Sequence, residues 1–508
     1  MVVPVSSKLP DDLTQCHELI VELANDIARY QKQIDYLSRR LFGRRSEKIS
    51  GEELDFFGHN DLMKTDQSDR DVEPNPTETP EVTEKKKRRR RKTPQRPTQI
   101  KDLPRRRVEY DVTEEQRCCE ACGVEKRRIG EEVSEQLEFV PACYHVIEHI
   151  RPKYACPCCQ GQVVIAEKPA QPIEKGMAGP GLIAHVLVSK YADHLPLYRQ
   201  EKIMERHGVH LSRKTLCDWV LLSAALLEPV VQVMHTELLK SFVVHSDDTS
   251  VPVQTDGKTH KGYLWVYIGD REHPYTVYDF TWTRSRAGPQ QFLAGYEGYL
   301  QADAYAGYDQ LYAEDKVREV GCWAHARRKF YDAKVTAAVQ ANEALLKIKD
   351  LYQVEREVKD LDDEQRRGVR EEKARPLLEA MKAWLDELQI QILPKSPLGE
   401  AIGYALNHWT ALTRYLDDGR LAIDNNISER ALRPVVIGRK NYLFTGSQRG
   451  GRAAAIHYSL IQSAKHNGVE PFAYLRDLLI RIPTHPYRRI HELLPDQWEN
   501  HNPVKITG

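Results

Sequence analysis

The chain has 508 residues, and its 74 Lys and Arg balance its 74 Asp and Glu, for a formal net charge of zero. That length calls for several domains, at least one with a sizeable core. There is no basic patch followed by an apolar run at the start and no stretch approaching about 18 apolar residues, so neither a signal peptide nor a membrane span is expected, and the expected location is the cytoplasm.

Leu13, Cys16, Ile20, Leu23, Ile27, Tyr30, Ile34, Leu37 and Leu41 recur at alternating three- and four-residue steps. This is the narrow apolar seam of a coiled coil, so a coiled-coil helix over residues 1–48 and self-association are expected. Residues 49–104 lack periodicity, are rich in proline and read as a disordered linker. They carry Lys85, Lys86, Lys87, Arg88, Arg89, Arg90, Arg91 and Lys92 in one run. Adjacent cations of this kind release counterions on meeting DNA, which makes the run a candidate phosphate contact.

Seven of the ten cysteines fall between Cys118 and Cys159. Cys119 and Cys122 form one C-x-x-C pair, and Cys156 and Cys159 another. Two such pairs build a closed tetrahedral thiolate site, so residues 105–168 are expected to hold a structural zinc ion. Cys118 and Cys158 leave the choice of ligands open.

Residues 169–235 read as helices, with Ser212 as the N-cap of a third helix after a glycine turn at Gly208. Helix, short turn and capped helix outline a helix-turn-helix, with Arg213 and Lys214 at the start of the DNA-reading helix.

From residue 236 the pattern changes to strands. The first is expected at Phe242–His245, ending at Asp247; others follow at 263–268, 275–280, 298–301 and 318–322, with short helices between the last three. This order resembles the ribonuclease H-like fold, in which the first and fourth strands are neighbours and would bring Asp247 beside Asp303. Residues 236–329 form the first part of the expected catalytic core, 330–405 an all-α insertion, 406–480 the second part with a helix bearing Glu429, and 481–508 a tail.

Asp247, Asp303 and Glu429 are candidate catalytic residues and Mg²⁺ ligands. Mg²⁺ favours oxygen donors, and two ions about 4 Å apart can activate the attacking oxygen and stabilise the leaving one. Asp247 would bridge both ions, with Asp303 on one and Glu429 on the other. Cys322 and His325 are expected to stand behind these carboxylates, as a C-x-x-H pair alone does not make a zinc site. Arg327, Arg328, Arg433, Arg439 and Lys440 are candidate DNA contacts. Asn425 and Asn426 are expected to cap the helix carrying Glu429.

Together these residues resemble the large catalytic subunit of bacterial insertion-sequence transposases of the family numbered sixty-six. The resemblance runs from Leu41–Glu47 through the cysteine module and Asp193–Gln200 to the acidic motifs, the run Asp424–Pro434 and Gly438–Asn441. One departure is Asp247-Asp248-Thr249, where the family usually reads Asp-Glu-Thr. The family implies an Asp-Asp-Glu triad, which falls on Asp247, Asp303 and Glu429, with Mg²⁺ and action at the inverted ends of a mobile element. The expected protein is a multidomain α+β transposase that cuts and joins double-stranded DNA as a homo-oligomer, associated with the nucleoid when bound, and a need for accessory proteins is left open. Two other readings stand beside it: an element-derived DNA-binding regulator without catalysis, and a structure-selective nuclease that cuts but does not join.

Overall fold

The computed structural model describes residues 170–499 other than 175, 314 and 315, together with 144, 146 and 147 and the backbone of 153–154 and 164–165. The expected coiled coil, the linker with its basic run and both cysteine pairs lie outside these residues. A two-stranded antiparallel pair, β1 (Lys153–Tyr154) and β2 (Val164–Ile165), precedes three helices: α1 (Pro180–Tyr191), α2 (Leu197–Arg206) and α3 (Arg213–Leu238). Gly208 takes φ +78° in the turn before α3, a conformation that glycine adopts without a steric cost. Ser212 caps α3 by accepting the Thr215 N–H at 3.2 Å.

By length and composition alone α3 could cross a membrane. The expectation of no such stretch overlooked it, because its apolar residues are interrupted by single polar ones. Leu216, Trp219, Val220, Leu227, Val230, Met234 and Leu238 are buried in the core, which gives its apolar face a partner inside the protein.

The central sheet is mixed and five-stranded. Its strands are β3 (Val243–Thr255), β4 (Lys258–Ile268), β5 (Thr276–Thr281), β6 (Gly298–Gln301) and β7 (Val317–Val320), in the order β5-β4-β3-β6-β7. β3, β4 and β5 are antiparallel neighbours, while β3, β6 and β7 run parallel. The adjacency expected of the first and fourth strands is therefore present. The first strand differs from expectation: it does not end at Asp247 but continues to Thr255. Polar Ser246–Ser250 hid the continuation, yet Val251 and Val253 resume the buried alternation and β4 pairs along the whole length.

Short helices α4 (Ala287–Phe292) and α5 (Asp309–Tyr312) flank β6. After β7 come α6 (Trp323–Ala333), α7 (Ala338–Glu357), α8 (Asp363–Val369), α9 (Arg375–Gln391), α10 (Pro397–Asn407) and α11 (Trp409–Thr413). The chain then returns through α12 (Asn426–Tyr442), α13 (Gln448–His466) and α14 (Pro471–Arg481).

Successive residues of a strand point to opposite faces. Val243 accordingly enters a core made by α6, α7, α9 and α10, and Val244 enters one shared with α1, α3, α13 and α14. β3 thus separates two cores and carries the central acidic motif between them.

Candidate active site

The ladder between β3 and β6 ends with His245 opposite Gln301. Beyond that pair the two backbones are no longer joined, and Asp247 and Asp303 each stand two residues past it. The sheet opens at that point, and a side chain there can face a ligand instead of another strand.

Asp247 is deeply buried, and burial together with the facing carboxylates of Asp303, Asp248 and Glu429 pushes its pKa up to about 8. Its one hydrogen bond comes from the Asp248 N–H at 2.7 Å. Asp248 is held differently. Arg284 donates to it from Nε at 2.9 and 3.1 Å and from Nη2 at 2.7 Å. The same guanidinium lies 4.1 Å over the Tyr305 ring and brings Nη2 to 3.7 Å from Asp303. Arg284, in the loop after β5, was not among the candidates read from the sequence. The only signal was a basic loop following a strand at the same end of the sheet.

Glu429 reaches the site from the first turn of α12, with His325 Nε2 on α6 at 3.8 Å. A knot of hydrogen bonds fixes the start of that helix. Asn425 is at the N-cap position but makes no capping bond, contrary to expectation. Its side chain turns to β3 instead: Nδ2 donates to Ser246 O at 2.8 Å, and Oδ1 accepts from His245 Nδ1 at 3.1 Å and from Ser428 Oγ at 2.9 Å. The helix start is met by Asp424, whose Oδ1 accepts the Asn426 N–H at 3.1 Å and whose Oδ2 accepts Tyr352 Oη from α7 at 2.8 Å. Asn425 N–H donates to Cys322 Sγ at 3.2 Å. Burial, with Asp424 adding to it, pushes the Cys322 thiol up to about 12, so it stays protonated and supports α12 as a neutral group. Burial also lowers His245 to about 4, which keeps it neutral.

The donor set of Asp247, Asp303 and Glu429 is all hard oxygen, the chemistry Mg²⁺ prefers. Their mutual repulsion, with one bidentate arginine engaged elsewhere, is what a divalent cation relieves. Among the described residues no three His, Cys, Asp or Glu side chains stand as a ready-made cage.

The sequence profile of the IS66 transposase family matches residues 175–453 and that of the IS66 C-terminal element matches 459–495. The chain belongs to the IS66 transposase family. The zinc-finger binding domain of transposase IS66 matches residues 116–160, which contain both C-x-x-C pairs and suggest zinc binding, and the homeodomain of transposase C of IS166 matches 29–108. Similar proteins occur in Sinorhizobium fredii strain NBRC 101917 / NGR234. The uncharacterized protein y4jD is 35% identical over 97% of both chains. The uncharacterized protein y4qI is 38% identical over 76% of this chain and 74% of its own. Family membership supports a transposase-type enzyme with DNA-binding domains and divalent-metal use.

The candidate DNA contacts are scattered. Arg213 and Lys214 are exposed at the start of α3, Arg328 is exposed on α6 with Arg327 partly buried beside it, and Arg433 and Lys440 are exposed on α12. Arg439 faces inward: it donates to Ser250 O, and to Thr249 Oγ1 at 3.3 Å, tying α12 to β3.

Proposed function

We propose that this protein is a DNA transposase that binds the inverted ends of a mobile element, cleaves by metal-assisted hydrolysis and joins the freed 3′-hydroxyl to target DNA. The observation that supports this reading is that the carboxylates of Asp303 and Glu429, from two other stretches of chain, act electrostatically on buried Asp247 where β3 and β6 part. The strand order supports a ribonuclease H-like core interrupted by an all-α insertion over 330–405. The domain division expected from the sequence, with oligomerisation through the N-terminal coiled coil and zinc on Cys119, Cys122, Cys156 and Cys159, belongs to the same proposal.

Asp247, Asp303 and Glu429 would hold two Mg²⁺ ions, which supply activation of the attacking oxygen and stabilisation of the leaving one. The chain's own groups do the rest. His325 orients the Glu429 carboxylate. Asp248 fixes Arg284 beside Asp303, where the guanidinium is set to meet a phosphate oxygen. Until cations arrive, a proton on Asp247 relieves the crowding of the carboxylates. The Asn425 knot keeps α12 in register with β3.

The test is strand cleavage and joining on duplex DNA carrying the element's own ends, with Mg²⁺, comparing the unaltered protein with Asp303→Ala. Joined products lost in the variant, with end binding kept, support the transposase. Cut but unjoined products favour the nuclease reading. Equal inertness with intact binding returns the regulator.

A further inference from the structure

α12 ends in a conformation that needs a reason. Leu443 has φ 64° and ψ −48°, and the Phe444 N–H donates to Tyr442 O at 2.7 Å. This is the rare γ-turn with positive φ, strained for any residue that carries a Cβ. Glycine would adopt it freely, yet leucine occupies it and is 66% exposed, followed by Phe444 at 41%.

The turn is clamped on both sides. Before it, the Leu443 N–H donates to Arg439 O at 2.9 Å, and Tyr442 Oη meets Tyr458 Oη at 2.7 Å beneath Lys190, which lies 4.3 Å from the Tyr442 ring. Gly438 allows that approach, since a Cβ there would stand 2.4 Å from Tyr442 Oη. After it, Thr445 forms a two-bond bridge to β3: its N–H donates to Pro252 O and its O accepts the Gln254 N–H, both at 2.8 Å. Two large apolar side chains are therefore held outward on a rigid, strained tip.

The surroundings state the partner's charge. Arg430, Arg433, Arg439, Lys440, Arg449 and Arg452 fall between residues 430 and 452 with no Asp or Glu among them. Arg430, Arg433, Lys440 and Arg449 are exposed, and Ile437, 38% exposed, lies between Arg433 and Lys440 on the same helix. A cationic face with an apolar tip suits a polyanion that offers stacked, apolar base steps between its phosphates, which is duplex DNA.

We propose that Leu443 and Phe444 form a wedge that inserts at a base step of the duplex lying along α12. The fourteen residues from Glu429 to Leu443 rise about 21 Å along the helix, which sets the wedge about six base pairs from the bond at the carboxylates. The placement rests on the reading of the carboxylate cluster as a DNA-cutting centre. The wedge unstacks the step and bends the duplex, presenting the scissile phosphate to the open end of the sheet.

The experiment uses the full-length, zinc-loaded protein with no Mg²⁺ added, so that no cleavage intervenes, bound to duplexes of the element's terminal sequence with 2-aminopurine substituted singly along it. The expected result is a fluorescence rise confined to one step about six base pairs from the cleaved bond, absent in Leu443→Gly and Phe444→Ala. Phe444→Ala should also bind about tenfold more weakly. Leu443→Gly relieves the positive φ and should melt no lower than the unaltered protein, which separates loss of the wedge from loss of fold. A flat profile in the bound unaltered protein, a profile the two variants leave unchanged, or absence of duplex binding overturns the proposal. A parallel cleavage assay with Mg²⁺ distinguishes the two readings: cleavage with a flat profile sinks the wedge alone, and a peaked profile without metal-dependent cleavage sinks the catalytic reading alone.

Discussion

Asp424 and Glu429 lie five residues apart, and the acidic groups they belong to are built in opposite ways. Asp424 and Asn425 are joined by hydrogen bonds to α7, to β3 and to Cys322 just before α6, and Ser428 to Asn425. In the other group, Asp303 has Arg284 no nearer than 3.7 Å, Glu429 has His325 at 3.8 Å, and Asp247 accepts one bond from its own neighbour. A protein gives buried polar groups partners when their task is to hold the fold, because an unmade bond costs about 1–3 kcal/mol. Where carboxylates crowd together without such partners, their task is to meet a charge from outside. The difference separates the part that positions α12 from the part to which the proposed function assigns the metal ions.

Substitution at Asp303 draws this line most sharply. Asp303→Ala should abolish cleavage and joining while the metal-free protein melts no lower, since a source of repulsion is gone. A large fall in melting temperature would mean that the cluster is structural after all.

The pH dependence should be next in size. A carboxyl whose folded pKa is raised disfavours the folded state wherever the unfolded chain has already lost the proton. For Asp247, stability is highest below the ordinary 3.8 and falls as pH rises towards about 8, without divalent ions. Asp247→Asn removes the charge, so its melting temperature relative to the unaltered protein should climb across that window. A pH-independent difference would contradict the raised value. Added Mg²⁺ should shrink the gap at high pH by restoring stability to the unaltered protein alone.

In the knot the signs reverse. Asn425→Ala leaves the Ser246 carbonyl and His245 without partners and should cost about 2 kcal/mol of stability, with activity falling alongside. Unchanged stability, measured by denaturant midpoint, would show that Asn425 does not hold α12. Arg284→Lys keeps the charge but loses the two-pronged grip on Asp248, and should lower cleavage about tenfold with little change in melting. A cleavage rate equal to that of the unaltered protein would remove Arg284 from the site.

The sequence was legible where its signals are local. Ser212 begins α3 as its type and spacing suggest, and Gly298–Gln301 is a strand with the expected limits. Longer-range features were hidden. β3 runs on past Asp247 because of β4 opposite it, and the polar run at 246–250 gives no apolar alternation to show that. Arg284 meets Asp248 across 36 positions, a pairing made only by the fold. Asn425 was singled out for the wrong reason: its residue type suits a helix cap, but buried His245 and the Ser246 carbonyl compete for its amide and win. Arg439 reads as one more surface cation until its bond to the Ser250 carbonyl of β3 is seen.

The smallest expected effect concerns the edge of the sheet. Ser459 and Ser463, one turn apart on α13, meet the outer backbone of β5: Tyr278 N–H donates to Ser459 Oγ at 2.7 Å, and Ser463 Oγ takes the Thr276 N–H at 2.9 Å while donating to Thr276 O at 3.0 Å. Either serine changed to alanine should cost about 1 kcal/mol in a denaturant titration, and no loss would show the edge to be satisfied in another way.

These two hydroxyls also constrain how copies can assemble. An open strand edge invites another chain to continue the sheet, and here a helix has already taken the place of that visitor. A second copy therefore cannot continue the sheet at β5, and any contact between copies would have to form elsewhere.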